Sequence, residues 1–65
     1  MNLNKLKGKI VENGLNIPKV AENLEIDPKT LYRRLNSGKV TVEDAAKMKD
    51  LLSMTNEEAI EIFLT

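Results

Sequence analysis

Only three residues, Glu25, Ile26 and Asp27, separate two short stretches that each carry the apolar spacing of a helix. A connection that brief leaves no room for a strand or a wide crossover, so the second helix must turn back steeply against the first. The upstream stretch begins at Asn16, whose side chain can cap a helix whose first turn tolerates Pro18, and it places Val20, Ala21 and Leu24 on one face. A helix is predicted over Ile17–Leu24. Downstream, Asp27 stands directly before Pro28, the order of a capping carboxylate and a first-turn proline whose φ is already helical. A second helix is predicted from Pro28, with Leu31 and Leu35 as its apolar seam at i, i+4 and Asn36–Ser37–Gly38 as its stop. Helices that cross steeply need a small side chain where they meet, which Ala21 supplies, and Ile26 can plug the corner.

The rest of the chain is also helical in pattern. Leu3, Leu6 and Ile10 fall at i, i+3 and i+7, predicting a first helix from Leu3 to Asn13 that ends on a left-handed Gly14. Thr41 with Asp44, and Thr55 with Glu58, have capping-box spacing and open the fourth and fifth helices, with acids in the first turn where the helix dipole favours them. Val42, Ala45 and Leu52 are expected to line the fourth helix; Ala59, Ile62 and Phe63 are expected to line the fifth. No segment alternates with period two over a useful length, so no strand is predicted. There is no repeat, linker or low-complexity tract, and residues 1–65 are expected to form one all-α domain.

A chain of 65 residues buries only about 60% of the surface its unfolded form exposes. Nine Leu, five Ile, four Val and four Ala against one Phe and no Trp make that small core aliphatic. The absence of Cys excludes disulfides and thiolate chemistry and points to an intracellular, cytoplasmic location. The opening residues interleave lysines with leucines, unlike a signal peptide, and no segment approaches the roughly 18 apolar residues of a membrane span. With no His, no Cys, one Tyr and no glycine-rich phosphate loop, catalysis, cofactor, metal and small-molecule substrate are all unexpected.

Net charge is zero, but it is unevenly distributed. Residues 1–39 hold six Lys and two Arg against four acids, a net +4; residues 40–65 hold two Lys against six acids, a net −4. The basic half contains the pair of helices around Glu25–Asp27.

The stretch "IPKVAENLEIDPKTLYRRLNSGK" resembles the bihelical unit of the phage Cro and C1 repressor family of helix-turn-helix proteins. The likeness lies in Val20, Ala21, Leu24, Ile26 and Leu31 at the family's core spacing, in the helix start at Asp27 and Pro28, and in the Asn36–Gly38 exit. It departs at Glu25, where the family often has glycine, and at Arg34, a position more often apolar, whose core contact Leu35 takes over. The resemblance implies a compact five-helix, lambda-repressor-like domain that binds double-stranded DNA with its third helix, as a homodimer on a palindromic operator. Its brevity leans toward the Cro type. It further implies base contacts at Pro28, Lys29 and Arg33, and phosphate contacts at Asn16 and in the loop from Asn36 through Ser37 to Lys39.

The residues support part of this independently. Turning Leu31 and Leu35 inward leaves Lys29, Tyr32 and Arg33 outward, with Thr30 and Arg34 on the flanks. A guanidinium can donate two hydrogen bonds to guanine O6 and N7 in the major groove. By its outward place Tyr32 joins the base-contact candidates, and Thr30 and Arg34 on the flanks, with Lys19 on the preceding helix, join the phosphate candidates. Against this stand plainer readings: exposed Lys and Arg as a solvated face, Tyr32 as a cover for the core edge, and Asn16 as a helix cap. Ile60 and Leu64 lie on a different flank of the last helix from Ala59 and Ile62; together with Phe63 they are the expected dimer interface. A helical protein-interaction module, an antirepressor or adaptor, is the alternative, supported by the zero net charge and the acidic second half.

Overall fold

Four of the five helices begin at caps expected from the sequence, and the remaining one begins at Asn2, because a side-chain oxygen two or three residues upstream satisfies a first-turn N–H. The computed structural model describes residues 1–64 and contains α1 (Leu3–Glu12), α2 (Ile17–Leu24), α3 (Pro28–Ser37), α4 (Val42–Leu51) and α5 (Asn56–Phe63), with no strand among those residues. Asn2 Oδ1 accepts from Lys5 N–H at 3.1 Å, Asn16 Oδ1 from Lys19 N–H at 2.9 Å, and Asp27 Oδ1 from Lys29 N–H at 2.8 Å. Thr41 Oγ1 accepts from Asp44 N–H at 3.0 Å. At α5 the box is complete, with Thr55 Oγ1 accepting from Glu58 N–H at 3.1 Å and Glu58 Oε1 accepting from Thr55 N–H at 2.9 Å.

Four helices share one exit geometry. At Gly14, Glu25, Gly38 and Ser53 the backbone turns left-handed, with φ of 71°, 58°, 71° and 52°. The next residue's N–H then returns to the carbonyl five positions back, as from Leu15 to Ile10 and from Lys39 to Arg34, both at 3.0 Å. Glu25 adopts this conformation at a cost on the order of 1 kcal/mol relative to glycine. The result is a tight turn: Ile26 N–H reaches Ala21 O at 3.1 Å, and α2 and α3 pack closely over a fully buried Ala21.

The core comprises Leu6, Ile10, Val20, Ala21, Leu24, Leu31, Leu35, Met48, Leu52, Met54 and Ile62, with Ile26, Ala59 and Phe63 packed at its edge. α2 contacts both α3 and α4, while α5 closes the far side against α1 and α4. The radius of gyration, 10.4 Å, agrees with the roughly 11 Å expected of a folded domain of this length.

Two expectations for α4 are corrected. Val42 does not line the helix but is 87% exposed. It lies about 200° of helical rotation before Asp44, and the inward stripe is Asp44, Met48 and Leu52. The capping box expected at Thr41 is also only half formed, because the Asp44 carboxylate points into the domain toward Arg34 instead of back to the Thr41 N–H. At the first helix the boundary is one residue shorter than expected: Asn13 is the cap, and its side-chain amide donates to Lys9 O at 2.8 Å and to Leu52 O at 3.0 Å, tying α1 to the end of α4.

The charge split of the sequence largely folds back on itself. Lys5 pairs with Glu61, and Lys9 pairs with Glu12 at 3.2 Å and Glu58 at 3.0 Å, so α1 and α5 neutralise each other. The Thr55 N–H, followed by the Lys9 ammonium, holds the Glu58 carboxyl below its ordinary value; the hydrogen bonds that Lys9 donates to Glu58 and then to Glu12 raise Lys9. A carboxyl lowered on folding contributes stability above its unfolded pKa and loses it as pH falls through the folded value. Glu58→Gln is therefore expected to be less stable than the parent near neutrality, with the gap closing as pH falls from about 6 to about 3. Thermal unfolding across that range checks it; a gap independent of pH would mean that the Glu58 charge contributes nothing.

Candidate nucleic-acid interface

α3 is oriented by its inner face. Leu31 and Leu35 are buried, and the opposite face carries Lys29, Tyr32 and Arg33, all exposed, with Pro28 exposed at the start. Lys29 and Arg33 are four residues apart and so lie one above the other along the helix. Neither forms an ion pair with another described residue, and the same holds for Lys39 just beyond the helix. Most other cations are paired: Lys5, Lys9, Arg34 and Lys47 with acids from neighbouring turns or helices, and Lys19 with Glu22 at 3.3 Å. The free positive charge of the basic half is thus concentrated on α3 and its exit, with Lys7 apart from it on α1. Glu25 and Asp27 place two acids in the turn leading into α3.

The expected flanking residues differ in what they have available. Asn36, Ser37 and Lys39 are exposed at the exit of α3, where the Ser37 hydroxyl donates to Arg34 O at 3.2 Å. Thr30 is half-buried beside the outer face. The Asn16 side-chain oxygen is committed to the cap of α2, and the residue is exposed. Arg34 is the exception. Its Nη1 donates to Asp44 Oδ2 at 2.7 Å, with the arginine side chain one-third exposed and the aspartate 9% exposed. The guanidinium expected on the phosphate side instead ties α3 to α4, a role whose partner has no signal in the sequence because Asp44 reads there as a capping acid.

The expected dimer residues occupy another surface. Ile60 and Leu64 are 54% and 78% exposed, while Phe63 is half-buried against the core. With Val42, Ala45 and Ala46 they border an apolar groove of about 260 Å³ between α4 and α5. Among the described residues no three acidic side chains gather in a way that could hold a metal ion, and no helix is long and apolar enough to cross a membrane. Compared with protein-family models, curated proteins and solved structures, the chain matches none.

Proposed function

We propose that this chain is a sequence-specific double-stranded DNA-binding transcriptional regulator of the Cro and C1 repressor type, from a phage or prophage, acting in the bacterial cytoplasm as a dimer on a palindromic operator. The observation that carries it is the outer face of α3: Lys29 and Arg33 stand exposed and without an acidic partner on the first turns of a helix held at a three-residue turn. A helix so presented enters a major groove about 12 Å wide with its N-terminal residues at the base edges. Arg33 reads bases, with Lys29, Tyr32 and Pro28 beside it. Lys39, Asn36, Ser37, Thr30, Lys19 and Asn16 meet the phosphates; Arg34 is left out of that set because Asp44 holds it.

Each phosphate neutralised releases counterions and steepens the fall of log affinity with log salt by about 0.9. Duplex affinity measured by anisotropy should therefore fall steeply between low and moderate salt. An affinity unchanged over that range would favour the protein-interaction reading, which the exposed apolar groove between α4 and α5 supports.

One short helix reads few base pairs, and two copies with recognition helices about 34 Å apart read a full site. The second copy is placed on Ile60, Phe63 and Leu64. Leu64→Asp is expected to weaken cooperative binding to a full site and leave half-site binding intact. Footprints and sedimentation identical to the parent's would move the interface elsewhere.

A further inference from the structure

We infer that Asp44 is a specificity-determining residue: by holding Arg34 it keeps a second guanidinium off the DNA backbone, so that α3 meets DNA with one free arginine. This rests on the DNA-binding function proposed above.

Among the described residues Asp44 is the one buried charged or polar side chain in an otherwise apolar core. Its carboxylate is not needed to start α4, because the first-turn bond runs to Thr41 Oγ1 from the Asp44 backbone N–H. At the matching position of α5, the longer Glu58 turns back to complete its box. Asp44 turns the other way and accepts from Arg34 at 2.7 Å. Burying a carboxylate costs desolvation that an ion pair offsets only when its geometry is good, and an apolar residue in such a place often gives equal or greater stability. What the pair adds is the position of the arginine.

Arg34 follows Arg33 directly, about 100° further round the helix. It also precedes the exposed exit that carries Asn36, Ser37 and Lys39, and its side chain is one-third exposed even when paired. Released, its guanidinium is free to meet a phosphate at the edge of the interface. Such an interaction carries no sequence information and is available in every register along the duplex. The specific complex, whose register Arg33 fixes, gains less from it than the many non-specific complexes do. Selectivity against a genome of competing sites depends on that ratio and not on affinity alone.

The test compares the full chain with Asp44→Ala, Asp50→Ala and the double variant R34A/D44A, after circular dichroism shows each to be folded. Asp50→Ala removes an exposed acid from the same helix and so controls for net charge. The probe is a fluorescent duplex of arbitrary sequence, read by anisotropy from about 50 to about 200 mM salt. Asp44→Ala is expected to steepen the log–log slope by about 0.9 per protomer, an extra loss of about 3.5-fold across that range, and to bind the arbitrary duplex more tightly at low salt. Asp50→Ala should keep the parent's slope, and R34A/D44A should return to it. A parent slope retained by Asp44→Ala, or a steeper slope surviving in R34A/D44A, overturns the inference while leaving DNA binding intact. A parent that shows no salt-dependent duplex binding overturns the proposed function and this inference together. Should Asp44→Ala not fold, phenylglyoxal labelling of the parent decides: Arg34 modified several-fold more slowly than Arg33 supports the hold, and equal rates overturn it.

Discussion

Leu31→Ala is expected to lower the midpoint of thermal unfolding by about 10–30 °C and to abolish DNA binding at 37 °C. Leu31 is fully buried in α3, so truncation removes its transfer free energy and leaves a cavity, together about 2–5 kcal/mol. A domain of 65 residues has a total stability on the order of 3–10 kcal/mol, so a large share of it is at stake. In a chain this small each kcal/mol corresponds to roughly 4–8 °C. The loss acts on function because Leu31 and Leu35 set the rotation that turns Lys29 and Arg33 outward. Leu64→Ala, at a site 78% exposed, provides the contrast and should change stability by less than about 0.5 kcal/mol. A Leu31→Ala midpoint within a few degrees of the parent's would mean that α3 is not held by the core as described.

Arg33→Ala is expected to cost about 1–3 kcal/mol on the best site, roughly 5- to 150-fold in affinity, and to relax the preference at one base pair. Lys39→Ala should behave differently. Removing the ammonium proposed to meet a phosphate at the exit of α3 should weaken all sequences by a similar factor and flatten the salt slope by about 0.9 per protomer. Measuring both variants against single-base-pair changes in a selected site separates the roles. A uniform loss for Arg33→Ala would show that residue to be a phosphate clamp.

The helix starts were legible in the sequence because each depends on atoms within three residues of one another. Asn16, Asp27, Thr41 and Thr55 all cap the helices they were expected to cap. The outward face of α3 was legible for the same reason, since the Leu31–Leu35 seam fixes the helix rotation. What escaped depends on distant partners. The phase of α4 follows the burial of Met48 and Leu52, which leaves Val42 out and brings Asp44 to Arg34, ten residues earlier in the chain. Ser53 carries no compositional sign of its left-handed backbone, so the chain reversal that buries Met54 went unseen. The charge split also misled, since Lys5 and Lys9 find their acids on α5, at the opposite end of the chain. The imbalance that survives folding is smaller and more local: Lys29, Arg33 and Lys39 on one helix and its exit.

That surviving patch makes the central claim testable without knowing the operator. The full chain is mixed with a pool of random duplexes at moderate salt, bound molecules are recovered and amplified over several rounds, and the enriched sequences are read. The expected result is a short motif with two-fold symmetry, its half-sites centred about one helical turn, or 34 Å, apart, and no enrichment when the selection is run with Arg33→Ala. Recovered sequences indistinguishable from the input pool, for a chain shown to be folded, would contradict the claim that α3 reads DNA.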